Sequence, residues 1–355
     1  MKQFNNETIK KVICIGSACK DVFFPTSEGK TIETPDEILS QKKIEFELGA
    51  KYKIEDRYEA LGGCAVNVAV GLARLGIKAS CYSHIGNDHG ADWILAELKK
   101  NNVGTEFITK DEKLSSDMSA IIVDKVSAER VIFSNQKANA NLEMIPEKIN
   151  SAEWIFIGDL HGNWQGHLDL IFSVAKENKI KLAYNPKQIN IHDDVKKIVE
   201  IIAGTQVLFL NKDEALEILL LVSSESAYAK APTDKQKTLP TSRQVVNSKE
   251  INDEEYLLGE LKKLGAEIIV MTDGVRGAWA SDGTETFFVP GRKVEALDST
   301  GAGDAFASGF LGAYLKERPL KECLDWGIAN SSNEVQFYGA IEGLLDEKGI
   351  LEKIK

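Results

Sequence analysis

The chain has 355 residues, of which 43% are apolar and 27% charged, so it is long enough and apolar enough to bury a substantial core. Its 43 Lys and Arg against 54 Asp and Glu give a formal charge of -11, which argues against a phosphate-backbone binder built on clustered cations. Five scattered cysteines with no C-x-x-C pair argue against a disulfide framework or a structural zinc, and read as reduced thiols.

A polar N-terminus runs directly into the strand-like Val12–Ile15, and no run approaches 18 apolar residues, so a cytoplasmic protein with no membrane span is expected. From there short apolar runs alternate with amphipathic stretches. Strands at Val12–Ile15, Ala79–Tyr82, Trp154–Ile157, Lys181–Tyr184, Val207–Leu210 and Ile268–Met271 are interleaved with helices at Cys64–Leu75, Ala91–Lys100, Leu168–Glu177, Val195–Ile202, Asp213–Leu221 and Glu255–Leu264, with a further helix from Asp304. This rhythm predicts an α/β fold: a mostly parallel central sheet with helices on both faces and functional residues just beyond the strand ends. Two stretches, about 22–61 and 113–137, alternate in the manner of antiparallel strands. They predict a small β lid built from two insertions. Residues 223–252, rich in Ser, Lys, Thr, Gln and Pro, read as a flexible insertion in what is otherwise one domain over 1–355.

The most informative segment is Asp298-Ser299-Thr300-Gly301-Ala302-Gly303-Asp304. Gly301 and Gly303 allow a tight turn close to a ligand, and the apolar pattern that follows starts a helix. A loop feeding a helix aims unpaired N–H groups and the positive dipole end at one point, which is an anion site suited to phosphate. Asp304, in the first turn, is placed either to accept a proton from an attacking hydroxyl or simply to cap the helix. Other phosphate motifs fail. Gly29-Lys30-Thr31 lacks the P-loop glycine, because position 24 is Phe, and Gly301-Ala302-Gly303 lacks the third small residue of a dinucleotide fingerprint, because position 306 is Phe. The five histidines form no metal motif, and Cys64 reads as a packing residue.

The segment Asp298–Asp304 resembles the D-T-T-G-A-G-D signature of the ribokinase family, the phosphofructokinase B type carbohydrate kinases, departing from it only at Ser299. Gly62-Gly63-Cys64-Ala65-Val66-Asn67 resembles the family's G-G-x-x-x-N segment, and Asn211-Lys212-Asp213-Glu214 its N-x-x-E motif. The resemblance spans essentially the whole chain. It implies a ribokinase-like fold and ATP-dependent transfer of the γ-phosphate to a hydroxymethyl group of a sugar, with Asp304 as general base and Gly301, Ala302 and Gly303 as anion hole. Further roles follow from it: Asp21, Gly62, Gly63 and Asn67 in the sugar site; Thr272, Gly274, Gly277, Asn330 and Asn185 at the nucleotide; Asn211 and Glu214 on Mg²⁺ through water. Some relatives also bind K⁺ near Asp298 and Gly339-Ala340, and many form homodimers through the lid.

The substrate stays open at this level. A sugar phosphate would call on Lys20, Arg130 or Lys137, a nucleoside on Phe23, Phe24 or Phe133 for stacking, and the balance leans to a neutral sugar. A non-catalytic sugar- or nucleotide-binding regulator on the same fold is the other class to be separated.

Overall fold

Val12–Ile15 and Trp154–Ile157 are apolar at every position, and in the computed structural model, which describes residues 10–33, 42–54, 56–230 and 252–355, every one of these side chains but Trp154 is fully buried. Strands apolar on both sides need cover on both faces, and the sheet supplies it. The strands in chain order are β1 (Lys11–Ile15), β2 (Cys19–Thr26), β3 (Lys30–Glu33), β4 (Lys42–Glu45), β5 (Tyr58–Gly62), β6 (Lys78–Tyr82), β7 (His84–Gly86), β8 (Thr109–Asp111), β9 (Met118–Asp124), β10 (Arg130–Asn135), β11 (Trp154–Ile157), β12 (Lys181–Tyr184), β13 (Val207–Asn211), β14 (Ile268–Thr272), β15 (Gly277–Ser281) and β16 (Thr286–Pro290). Among the described residues, eight of them form the central sheet in the order β16-β15-β14-β13-β12-β11-β1-β6. The pairs from β6 across to β14 are parallel, and β15 and β16 close that edge antiparallel.

Alternate residues of each strand feed two cores. Val12, Cys14, Phe156, Phe209 and Val270 face the helices Cys64–Arg74, Ala302–Leu315 and Leu320–Glu334. Ile13, Ile15, Ile155, Leu208 and Met271 face Trp164–Asn178, Val195–Ile202 and Glu254–Lys262. No described helix is long and apolar enough to cross a membrane.

A second sheet, β10-β9-β2-β5, stands apart from the first. Its strands come from the two stretches that alternate in the sequence, but β2 and β9 pair in parallel, so it is not wholly antiparallel as expected. Of the residues that alternate between 44 and 54, Ile44 lies in β4, whereas Phe46, Leu48, Tyr52 and Ile54 are not in strands among the described residues, and Leu48 is fully exposed. Register divides this sheet into two faces. Asp21, Phe23, Ala60, Gly62, Ser119, Ile121, Arg130, Ile132 and Ser134 share one; Val22, Phe24, Met118, Ile122, Val131 and Phe133 share the other. At its junction with the main sheet the buried Asp117 accepts from the backbone N–H groups of Ala138 (2.9 Å) and Asn139 (2.8 Å). The Asn139 amide in turn receives Ala18 N–H at 3.1 Å and donates to Ala18 O at 3.2 Å. Hydrogen bonds to a buried carboxylate are worth about 1.5–3 kcal/mol each, so this junction is fixed.

Only the first part of the segment predicted as a flexible insertion lies among the described residues. Residues 223–230 continue the helix Lys212–Lys230, and 231–251 lie outside the described residues. The hairpin β15–β16 was not foreseen, although its turn, Asp282 accepting from Thr284 N–H (2.7 Å) and Glu285 N–H (2.9 Å), carries an ordinary turn signature.

Candidate active site

The carboxyl ends of β1, β11, β12, β13 and β14 open toward one side, where their loops meet the N-terminus of the helix Ala302–Leu315. Asp298 is fully buried and builds the turn. Its Oδ1 accepts from Thr300 N (2.9 Å) and Thr300 Oγ1 (2.7 Å), and its Oδ2 from Gly339 N (3.3 Å). Burial pushes its pKa above the usual carboxylate value against the pull of those bonds. Gly301 then takes a left-handed conformation (φ 75°), and a Cβ there would also collide with Ala340, so only glycine fits. At Gly303 the reverse holds: it is exposed, and a Cβ would meet nothing within 4 Å. The open space over Gly303 and the free N–H groups of the first turn are the ingredients of an anion site.

Asp304 stands at the edge of that space, and several elements converge on it. Asn67, in the first turn of the helix Cys64–Arg74, donates Nδ2 to Asp304 Oδ2 at 2.8 Å. Its own Oδ1 is buried without a partner. Such an orphan acceptor is costly unless a ligand donor arrives. Gly63 (φ 101°) holds the start of this helix against Ser17 O, where any side chain would collide. A Cβ at Gly62 would fall on the Asp21 carboxylate, so this glycine makes room for Asp21 itself. Asp21 is almost fully buried, and burial raises its pKa to about 6 although Ser119 and Cys19 donate to it. Cys64 lies against the Asp304 carboxylate, and burial pushes its thiol well above the usual range, which makes it a neutral wall of the cleft.

Two residues here were missed by the sequence reading. Asp159, just after β11, accepts from Ser17 N at 3.1 Å and from the Ser17 hydroxyl, with His161 Nε2 3.6 Å away. Burial raises its pKa, but His161, Lys187 and Ser17 outweigh that and hold it below the ordinary value. Lys187, just after β12, brings Nζ to 3.9 Å from Asp304 Oδ1 and donates to Asn185 Oδ1 at 2.8 Å. Neither belongs to a glycine-rich motif. The one available signal was position: a polar residue two or three places beyond a buried parallel strand.

On the other side of Asp304 the predicted residues hold one another. Asn211 Oδ1 accepts from Glu214 N (2.8 Å) while Glu214 Oε2 accepts from Asn211 N (2.9 Å), a reciprocal cap on the helix Lys212–Lys230. Burial raises the Glu214 pKa, with Lys187 opposing. As hard oxygen donors these two suit Mg²⁺. Among the described residues no three His, Cys, Asp or Glu stand close enough to hold a metal, so an ion here would draw on phosphate oxygens and water. Thr272 ends β14, and Gly274 (φ 49°) is exposed on the 3₁₀ turn Gly274–Arg276 with open space around it. Gly277 (φ 124°) is buried, and a Cβ there would strike Val289 O. Gly277 therefore shapes the turn and lies below the surface that a nucleotide would touch.

Asn330 requires correction. It is fully buried, donates to Ala305 O (2.8 Å) and Ser308 Oγ (3.2 Å), and accepts from Leu345 N (2.8 Å), so both ends of its amide are spent inside the protein. It ties two helices together and has nothing left for adenine. Asn185 is likewise spent, between Phe209 O (3.0 Å) and Lys187, so it steers the lysine. The aromatic candidates for a nucleoside also move away. Phe23 is buried among Ala60, Ile121 and Val123, while Phe24 and Phe133 lie on the face of the small sheet turned away from Asp21. Of the candidate cations, Lys20 is paired with Glu59 at 2.6 Å, Lys137 is exposed, and Arg130 donates to Ser299 Oγ at 2.8 Å. Ser299 Oγ also bonds Ala128 O (3.3 Å), and Tyr58 stacks on Tyr338 with ring centroids 4.6 Å apart, so the small sheet is docked on the anion loop.

With this geometry in place, comparison with known proteins gives a consistent answer. A family model described as pfkB family carbohydrate kinase matches residues 10–347. An ATP-dependent 6-phosphofructokinase of Thermoanaerobacterium thermosaccharolyticum is 23% identical over 315 residues, covering 85% of this chain and 87% of the relative. A nucleoside kinase of Methanocaldococcus jannaschii is 23% identical over 348 residues, covering 98% of this chain and 97% of the relative. The crystal structure of Methanocaldococcus jannaschii nucleoside kinase matches with a TM-score of 0.66 at 21% identity, over 97% of this chain and 98% of that one. That of Arabidopsis thaliana ribokinase complexed with ribose and ATP matches with a TM-score of 0.72 at 17% identity, over 98% of each chain.

Proposed function

The chain belongs to the pfkB family of carbohydrate kinases, phosphotransferases with an alcohol group as acceptor, and from that premise we propose that it transfers the γ-phosphate of ATP to a hydroxymethyl group of a neutral sugar. One observation carries the reading: Asp304 is oriented by the Asn67 amide at the edge of an open, glycine-lined helix N-terminus. In that position Asp304 takes the proton of the acceptor hydroxyl as its oxygen attacks phosphorus, and the Gly301–Gly303 N–H groups hold the charge on the transferred group. Mg²⁺, held on the Asn211 and Glu214 side, would neutralise phosphate charge. Asp21, the orphan Oδ1 of Asn67 and Asp304 present acceptors to the acceptor molecule, which suits a compound rich in hydroxyl donors. The small sheet acts as a lid that keeps water from the phosphoryl group.

The displaced aromatics weigh against a nucleoside. Arg130, on the same face as Asp21 and beside Ser299, is the feature that favours a sugar phosphate as the second reading. ADP release measured across neutral sugars, sugar phosphates and nucleosides separates these. Turnover on a neutral sugar is expected; binding without turnover across the panel would favour a regulator and sink the kinase reading. Exposed Met118, Val131 and Phe133 on the outer face of the lid support pairing of two copies. Light scattering should give twice the mass of one chain, and a monomer at tens of micromolar would overturn that proposal.

A further inference from the structure

We infer that Lys187 is a catalytic cation, its ammonium binding an oxygen of the phosphoryl group in flight; this rests on the kinase reading above. Three features of its surroundings carry the inference.

The first is aim. Asn185 Nδ2 is fixed on Phe209 O (3.0 Å), which turns Asn185 Oδ1 toward Lys187 Nζ (2.8 Å), so a strand backbone directs the ammonium through one side chain. The second is charge. Burial pulls the lysine pKa down, but Cys64 and the carboxylates of Asp304, Glu214 and Asp159 around it push it up, which favours the ammonium form. The third is spare capacity. An ammonium has three N–H donors, and one is spent on Asn185. The 3.9 Å gap to Asp304 Oδ1 is too long for a hydrogen bond, so donors are left for a ligand. A lysine serving stability alone would close on one of these carboxylates.

Lys187 therefore stands beside the base that activates the acceptor and within the field of the Glu214 carboxylate, on whose side metal and leaving group would sit. In the transfer, the acceptor oxygen forms a bond to the γ-phosphorus as the bond from that phosphorus to the β,γ-bridging oxygen breaks. The electron pair leaves on ADP and the hydroxyl proton passes to Asp304. The non-bridging oxygens keep their negative charge throughout, with the Gly301–Gly303 amides and Lys187 both binding them.

The test compares wild type, Lys187→Met and Lys187→Arg using the acceptor found active in the panel. Binding of Mg·ADP alone, and of Mg·ADP with aluminium fluoride plus acceptor, is measured beside turnover. Lys187→Met should keep its melting temperature and ADP affinity, lose kcat by about 10²–10³-fold, and lose affinity for the aluminium fluoride complex to a similar degree. Lys187→Arg should recover at least part of both. Turnover of Lys187→Met within threefold of wild type, or equal weakening of ADP and aluminium fluoride binding, overturns the inference. Should Lys187→Met fail to fold, Asn185→Ala removes the steering alone: a several-fold fall in kcat at unchanged ADP affinity supports the inference, and no change overturns it. A wild type inactive on every acceptor sinks the kinase reading and this one together, whereas an active wild type beside an active Lys187→Met sinks this one only.

Discussion

The two sides of Asp304 are built differently. Toward Asp21 the groups are buried, held by glycines that admit no other residue, and they include one acceptor, Asn67 Oδ1, that no protein donor fills. Toward Glu214 and Gly274 the polar groups cap helices or turn outward to open space. A cleft that holds an unsatisfied acceptor in a fixed position rejects a molecule lacking the matching donor, whereas an open shelf of turns takes any ligand with the common phosphate geometry. On the proposed function, selectivity therefore belongs to the acceptor side.

That contrast can be broken at Asp304, where both sides meet. Asp304→Asn should fold normally and bind nucleotide, yet lose about 10³-fold or more in kcat; activity within tenfold of wild type would remove the base from the mechanism. The two glycines of the anion loop should separate structure from function. Gly301→Ala forces a left-handed side chain into Ala340 and should lower stability by about 1–3 kcal/mol, read as a fall in melting temperature. Gly303→Ala, with nothing within 4 Å, should melt as wild type but weaken phosphate binding, and a shared melting loss would show that the loop is merely structural.

Asp21 sharpens the acceptor side through pH. Its pKa is raised from 3.8 to about 6, so between those values the folded protein holds a proton that the unfolded chain has released. Stability contributed by this group therefore falls as pH rises through that window, by about 2–3 kcal/mol at most. Asp21→Asn should raise the melting temperature at pH 7 to 8 and leave it nearly unchanged near pH 4, while abolishing acceptor binding. In the wild type, acceptor affinity should improve as pH rises through about 6, because the ionised carboxylate accepts from two hydroxyls. A flat affinity profile from pH 5 to 7.5 would place Asp21 outside the acceptor site. The smallest catalytic effect is expected at Asn330. Asn330→Ala should cost about 1–3 kcal/mol of stability with KM for ATP within threefold, and a selective tenfold rise in that KM would restore the nucleotide role.

Much of this was legible because some residues admit few alternatives. Gly301 and Gly303 before an apolar period, with Asp304 in the first turn, announce an anion site from local chemistry alone. The alternating apolar runs announce a parallel sheet because only strands covered on both faces read that way. Asn330 and Lys187 were misjudged or missed for one reason. An Asn on a helix looks the same whether its amide meets a ligand or the neighbouring helix, and a Lys beyond a strand looks the same in a cleft or in water. Phe23 misled similarly, since alternation gives the two faces of a strand but not which face another element covers.

The sequence by itself determined the sheet, the glycine turn, the acidic first turn and the family, all properties carried by neighbours along the chain. Tertiary structure alone decided that Asn67 grips Asp304 across 237 positions, that Lys187 and Asp159 enter the same cleft, that Arg130 reaches Ser299 from the small sheet, and that Asn330 is spent in the core. Those pairings depend on how strands far apart in sequence are ordered and on which face each helix covers. No local pattern encodes either, because the contacts form between residues whose separation along the chain bears no relation to their separation in space.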